Sequence, residues 1–89
     1  MDRHRTGHAF RVKVHLWGEL GFYGPGKESR FEFSIAREMP ASDALRLIGV
    51  PAADVAVFGL NGAVARLDDP TITVADGDRI DCFPATSGG

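Results

Sequence analysis

A strict alternation of apolar and polar side chains limits what this chain can fold into more than any other feature of its sequence. The alternation runs through residues 10–17 and returns in residues 30–35. A period of two is typical of a β-strand that buries one face and exposes the other. Five of the ten residues 18–27 are Gly or Pro, which favours a loop between two antiparallel strands. The apolar positions of the two strands are Phe10, Val12, Val14, Leu16, Phe31, Phe33 and Ile35.

One short helix is predicted after the second strand. Residues 40–43 read Pro-Ala-Ser-Asp, and proline with small or polar residues is favoured in the first turn of a helix. Gly49 is a suitable C-terminal stop, and Pro51 forbids continuation. The apolar face of this helix is expected to be Ala44, Leu45, Leu47 and Ile48.

Three further strands are predicted in the second half of the chain, at residues 55–60, 63–65 and 79–83. Asn61-Gly62 between the first two is a strong hairpin-turn dipeptide, and Pro84 ends the last strand. One helix can cover only one face of a sheet, so the pattern predicts an α+β domain at residues 10–84. Residues 1–9 and 85–89 are expected to be flexible tails.

Composition excludes several classes of protein. A chain of 89 residues forms one domain, and a net charge of −2 gives no electrostatic reason to expect nucleic acid or an anionic membrane as a partner. No apolar run approaches the roughly 20 residues that span a bilayer, and no signal-like segment follows the polar start. A single cysteine rules out an internal disulfide, so we expect a protein of the reducing cytoplasm.

The second face of the predicted sheet is unexpectedly apolar. Val55, Val57 and Gly59 lie on it by strand parity, and Phe83 alternates onto it from the last strand. An uncovered apolar face is typical of a binding surface. The alternative is that the loop at residues 18–27 folds over this face with Leu20, Phe22 and Tyr23. The residues alone leave both interpretations open.

Other reactive side chains are predicted to have structural roles. Cys82 shares its strand face with Ile80, which indicates a buried and inert thiol. His4 and His8 have the spacing of metal ligands on a helix, but they lie in a polar tail without acidic or cysteine ligands nearby, so no metal site is predicted.

Charged residues near the strands are predicted to lie on solvated surfaces or in turns. His15 is expected on a solvated polar face, and Asp76 and Asp78 are expected to shape a turn before the last strand. A modest basic stripe interrupted by carboxylates is predicted from Arg11, Lys13, Arg79, Glu32 and Asp81.

The C-terminal third carries a recognisable set of motifs. Asn61-Gly62 is followed by Asp76-Gly77-Asp78-Arg79-Ile80 and then by Phe83-Pro84-Ala85-Thr86-Ser87-Gly88-Gly89. This series resembles the ubiquitin-like sulfur carriers of the MoaD/ThiS family, which include the small subunit of molybdopterin synthase and the thiamine sulfur carrier. The resemblance covers residues 10–89. It implies the β-grasp (ubiquitin-like) fold, a mixed sheet of four to five strands packed on one short helix, with the first and last strands parallel at the centre.

The resemblance also implies a function. In such carriers the terminal carboxylate, here that of Gly89, is adenylated and converted to a thiocarboxylate that donates sulfur in molybdopterin-type cofactor biosynthesis. Gly88 has no side chain, so the C-terminal tail that carries Gly89 stays thin. The carrier is not itself an enzyme and binds no cofactor, since ATP is used by the activating partner. Alternatives are another sulfur acceptor (thiazole, cysteine, tRNA or a tungsten-enzyme cofactor) or a ubiquitin-like protein modifier.

Two partners follow from the same resemblance. One is a ubiquitin-activating-like adenylyltransferase, and the other is a sulfur-accepting synthase subunit. The residues expected to contact them are Phe83, Val55, Val57, Pro84, Thr86 and Ser87.

Overall fold

The structure is a computed structural model that describes residues 9–85. Its strands are β1 (Phe10–Leu16), β2 (Arg30–Ile35), β3 (Met39–Pro40), β4 (Val55–Leu60), β5 (Ala63–Ala65), β6 (Thr73–Val74) and β7 (Arg79–Pro84), and its α-helix is α1 (Ala41–Ile48). Short 3-10 turns occupy Gly18–Tyr23, Pro25–Lys27 and Ala52–Asp54. The predictions that concern His4, His8, Thr86, Ser87, Gly88 and Gly89 lie outside the described residues.

Five strands form one mixed sheet in the order β2-β1-β7-β4-β5. β1 pairs antiparallel with β2, from Phe10 opposite Ile35 to His15 opposite Arg30. β1 and β7 pair in parallel at the centre, with Leu16 beside Cys82, and β4 runs antiparallel to β7. This topology with one helix is a β-grasp-like fold and confirms the predicted α+β class.

The helix follows its predicted limits but not its predicted face. Pro40 precedes the first helical residue, and Gly49 ends α1 in the left-handed conformation with φ 102°. Ala44 and Leu45 pack into the core, whereas Leu47 is 60% exposed. The prediction that Leu47 is part of the buried face is wrong because eight residues offer only a narrow stripe to the sheet.

The core lies between α1 and the inner face of the five-stranded sheet. The alternating residues of β1 supply Val12, Val14 and Leu16, all almost fully buried, and β7 adds Ile80 and Cys82. The predicted alternation in β1 and β2 is thus confirmed. Among residues 9–85 no polar or charged residue is fully buried, so hydrophobic burial is the main stabilising term.

A second, two-stranded sheet was not predicted. β3 pairs with β6 through Met39 opposite Val74 and Pro40 opposite Thr73. Each strand has two residues, too few for an alternation to be visible in the sequence. Ala41 N–H extends the contact by donating to the Ile72 carbonyl at 2.8 Å, so this small sheet fixes the start of α1.

The turn motifs of the sequence hold β7 in place. Asn61 and Gly62 adopt positive φ angles of 53° and 87° and turn β4 into β5, as predicted. Asp76 accepts the Arg11 N–H at 2.8 Å, and Asp78 accepts the Ala75 N–H at 2.7 Å. Both aspartates lie at the turn before β7, as predicted: Asp78 closes the turn, and Asp76 ties it to the start of β1.

No helix among residues 9–85 has the length and apolar character that crossing a membrane requires.

Candidate partner-binding face

The sheet has an outer face that is turned away from α1. In the part of the chain that the structure describes, no helix or loop covers its centre. We define this outer face by its central and flanking side chains, which are Arg11, Lys13, His15, Trp17, Arg30, Glu32, Val57, Val64, Arg79, Asp81 and Phe83.

Three aromatic rings form a continuous stack on the outer face. The rings of His15 and Trp17 have centroids 3.9 Å apart at an interplanar angle of 28°. The Trp17 and Phe83 centroids are 5.1 Å apart at 17°. The parallel pairing of β1 with β7 brings these rings together, because Trp17 follows the register that sets Leu16 beside Cys82. Stacked aromatic rings stabilise a fold by more than the burial of their surface alone. Trp17 nevertheless exposes 40% of its surface.

Asp81 contacts two of the stacked rings and one arginine on the outer face. The Trp17 indole N–H donates to Asp81 Oδ1 at 3.0 Å, and Arg79 Nε lies 3.4 Å from Asp81 Oδ2. His15 Nδ1 is 3.8 Å from Asp81 Oδ1. With only 15% of its side chain exposed, Asp81 fixes the orientation of the neighbouring rings and of Arg79.

His15 is not the solvated residue that was expected. Its side chain is 18% exposed because the Trp17 ring covers one of its faces. Burial lowers the pKa of His15 below its ordinary value, the nearby Arg30 lowers it further, and Asp81 opposes both effects. The expectation failed because strand parity shows which face a residue occupies but not which neighbour lies against it.

The predicted contact residues on β4 divide between the two faces of the sheet. Val57 lies opposite Phe83 and exposes 41% of its surface on the outer face. Val55 lies opposite Pro84 and packs against the core, because a β-bulge between Val55 and Val57 reverses the alternation. The prediction that Val55 shares the uncovered face with Val57 is wrong. Ala56 is the extra residue of the bulge and is exposed.

Pro84 lies at the end of β7, where the sheet meets the loop at residues 18–27. A Cβ on Gly18 would lie only 3.1 Å from Pro84 Cγ, so the loop closely approaches this end of the strand. The structure therefore brings Phe83, Val57 and Pro84 to one end of the sheet. Thr86, Ser87, Gly88 and Gly89 follow in the chain but lie outside the described residues.

The loop at residues 18–27 does not shield the outer face. Leu20 enters the core, with 1% of its surface exposed. Phe22 is 68% exposed, and the Tyr23 hydroxyl donates to Asp54 Oδ2 at 2.7 Å, before the start of β4. Of the two alternatives left open by the sequence, the structure excludes a loop that covers the face, so Trp17, Val57 and Phe83 stay accessible.

Cys82 offers no accessible nucleophile. It is fully buried beside Ile80, as strand parity predicted, and burial together with Asp81 raises the pKa of its thiol to about 12. Among residues 9–85 no group of three or more His, Cys, Asp or Glu side chains is arranged to hold a metal ion.

Sequence reasoning did not predict the contact between Trp17 and Asp81, although strand parity places both side chains on the side away from the core. The alternation puts Trp17 at a polar position at the end of the first strand, and the role predicted for Asp81 was to interrupt a basic stripe. The available signal was Trp17 at an outward position at the end of the first strand. Its meaning depends on the parallel register with β7, which brings Trp17 beside Phe83.

Comparison with known proteins supports the fold and leaves the family open. No protein-family model matches the chain, and no curated protein matches it. Among solved structures, the solution structure of the HVO 2177 protein of Haloferax volcanii is similar, with a TM-score of 0.66 and 16% sequence identity. The match covers 91% of this chain and 88% of that one. At that identity the likeness concerns the fold alone.

Proposed function

We propose that this chain is a ubiquitin-like sulfur carrier whose Gly89 carboxylate is activated and converted to a thiocarboxylate for molybdopterin-type cofactor biosynthesis. The observation that carries the proposal is the position of β7. This strand occupies the centre of the sheet, presents Phe83 on the uncovered outer face and ends at Pro84, five residues before Gly89. A partner that docks on the outer face would meet the start of the terminal segment directly.

Different residues of the motif series have different roles in the fold, and this difference supports the proposed carrier function. Asn61, Asp76 and Asp78 are all engaged in hydrogen bonds that close a turn or fix it to a neighbouring strand or turn. Phe83 does not have such a fold-building role, because its ring stacks on Trp17 at the surface. The parts of the motif series that these bonds do not explain are therefore Phe83, a half-buried aromatic residue on the outer face, and the glycine-terminated segment. Those are the parts that a partner enzyme would use.

The chemistry places simple demands on the terminal residues. A free carboxylate is a poor electrophile, so one of its oxygens first attacks the α-phosphorus of ATP on the activating enzyme and pyrophosphate leaves. A persulfide sulfur then attacks the acyl carbon of the adenylate, and AMP leaves. A thiol next cleaves the S–S bond, forming a disulfide with the other sulfur and releasing the thiocarboxylate. Glycine has no Cβ and adopts the conformation that each active site requires.

This reaction needs a mature chain that ends at Gly89, and apart from the terminal carboxylate it needs no nucleophilic side chain from the carrier. Cys82 agrees with the second condition, because its buried thiol cannot reach a substrate. The outer face would supply affinity for the adenylyltransferase and for the sulfur-accepting subunit, while the terminal segment enters each active site.

Intact-mass measurement of the native protein, isolated from its source cells under non-reducing and reducing conditions, tests the proposal. We expect a species in which one oxygen of the chain is replaced by sulfur, and fragmentation should place it at Gly89. A variant with one alanine appended after Gly89 should lack the species, whereas a matched variant with one alanine added at the other end should retain it. A lysine isopeptide conjugate would identify a protein modifier, and a chain carrying neither mark would overturn the proposal.

A further inference from the structure

The outer face has a basic half and an apolar half. The basic half consists of four cationic side chains, Arg11, Lys13, Arg30 and Arg79, with only two carboxylates, Glu32 and Asp81. The chain as a whole has a net charge of −2. Positive charge is therefore concentrated on this part of the surface, against the overall sign of the protein.

Both carboxylates of the basic half are already engaged within the chain. Glu32 Oε1 lies 3.3 Å from Arg11 Nη1, and Asp81 contacts Trp17 and Arg79. They are therefore poor partners for further cations. The two carboxylates that interrupt the basic stripe therefore compensate Arg11 and Arg79 in the folded chain.

Lys13 and Arg30 are the cations left over. Within residues 9–85 neither has a carboxylate at ion-pairing distance. They lie on adjacent strands and border the same concave surface as His15, Trp17 and Phe83. Two cations that have no ion-pair partner among residues 9–85, next to an aromatic stack, form a site that would attract an anionic group.

The apolar half begins where the basic half ends. Phe83 and Val57 lie opposite each other on β7 and β4, and Val64 extends the strip along β5 with 79% of its surface exposed. A strip of this kind, next to stacked rings, suits the aliphatic or aromatic side chain of a protein rather than a small polar ligand.

We propose that the outer face binds an acidic protein segment with an apolar anchor, the anchor packing on Val57 and Phe83 and the carboxylates pairing with Lys13 and Arg30. The inference rests on the proposed function, for it names the chemistry by which the activating or accepting partner is recognised. Nucleic acid fits less well, because Asp81 lies in the middle of the face and, within residues 9–85, only Lys13 and Arg30 on this face lack an ion pair. A second copy would bring its own basic half against this one.

Fluorescence provides the test, since Trp17 is the single tryptophan and lies at the centre of the face. The probes are a short glutamate-rich peptide with one central phenylalanine, its lysine-rich counterpart, and a thymidine oligonucleotide. We expect the acidic peptide to change Trp17 emission saturably and the basic peptide to have no effect. Raising the salt concentration should weaken binding, because exposed charges are screened.

Charge reversal separates the face from general electrostatics. The double substitution Lys13→Glu with Arg30→Glu should weaken binding of the acidic peptide about tenfold or more, and it should create binding of the basic peptide. Arg46→Glu, on α1 at the other side of the sheet, is the matched control for each single substitution, Lys13→Glu or Arg30→Glu, and should change affinity little. Circular dichroism confirms that each variant is folded.

Three results would overturn the inference: equal binding of both peptides, tighter binding of the oligonucleotide, or emission that depends on protein concentration alone, which indicates a second copy. Failure here leaves the thiocarboxylate mass of the unmodified chain unaffected, so it is distinguishable from failure of the carrier function. Conversely, acidic-peptide binding without any sulfur at Gly89 would retain the face and reject the carrier.

Discussion

Asn61 donates its side-chain Nδ2–H to Asp78 Oδ1 at 2.9 Å, although the two residues are 17 positions apart in the chain. The same Asn61 side chain accepts the Arg79 N–H on Oδ1 at 2.8 Å. One amide group thus ties the β4–β5 turn to the first residue of β7. Part of the motif series that resembles sulfur carriers is therefore explained by the fold, and the remaining part carries the proposed function.

The Asn61–Asp78 bond should be measurable as a coupling. Asn61→Gly preserves the positive φ of the turn and removes two hydrogen bonds, so we expect a loss of about 1 kcal/mol in the free energy of unfolding. Asp78→Ala should cost about 1–2 kcal/mol because it also frees the Ala75 N–H. Urea denaturation of both variants and their double mutant gives the coupling energy.

Asp68→Ala is the control for that experiment. Asp68 pairs with Arg66 at 2.8 Å on an exposed surface, so its loss should change stability much less than the loss of Asp78. Strictly additive effects of Asn61→Gly and Asp78→Ala would contradict the linking role of this bond.

Gly24 should tolerate no side chain. A Cβ at this position would collide with the Glu28 carbonyl and come within 3.1 Å of the Phe31 ring. Gly24→Ala should therefore lower the free energy of unfolding by about 1–3 kcal/mol through overpacking of the loop against β2. Gly26→Ala is the matched control, because its Cβ meets nothing within 4 Å and it incurs only the cost of its φ of 62°. A larger loss of stability for Gly26→Ala than for Gly24→Ala, in thermal unfolding, would contradict this packing.

Protonation of His15 should destabilise the fold. Burial and Arg30 lower the pKa of His15 in the folded state, so the unfolded chain binds more protons as the pH falls. The contribution of His15 to stability is complete above its unfolded pKa of about 6.5 and is lost as the pH falls toward its lowered folded pKa. His15→Gln should flatten this part of the stability profile, and an unchanged profile would contradict the account.

The same titration has a local reporter. The His15 ring lies 3.9 Å from the single tryptophan, so its protonation should alter Trp17 emission. We expect a midpoint below the ordinary value for histidine, and a midpoint above it would show that Asp81 rather than burial dominates the environment of His15.

Cys82 should be unreactive in the folded protein at neutral pH. Its pKa of about 12 and complete burial leave almost no accessible thiolate, so iodoacetamide should label it only after denaturant is added. Cys82→Ala should leave sulfur loading of Gly89 intact. Loss of loading in a Cys82→Ala protein that remains folded would show that the thiol participates in the chemistry.

Much of the architecture could be predicted because each signal is local. Alternation in β1 and β2, the Asn61-Gly62 turn and the stop at Gly49 are all specified by neighbouring residues. The errors arise where the decisive contact is distant in sequence. The bulge that turns Val55 inward depends on pairing with Pro84, and the stack at Trp17 depends on the register with β7. The two-residue strands at Met39–Pro40 and Thr73–Val74 exist only because they pair.

The most direct test joins the outer face to the terminal segment by measuring the thiocarboxylate fraction at Gly89 in two matched variants. Val57→Lys places a charge on the outer face at a residue 41% exposed, and Leu47→Lys makes the same change on α1 at a residue 60% exposed. Both substitutions leave the core intact. We predict a strongly reduced thiocarboxylate fraction for Val57→Lys and a wild-type fraction for Leu47→Lys in protein isolated from the source cells. Equal fractions in both variants, or no sulfur at Gly89 in the unmodified chain, would contradict the account.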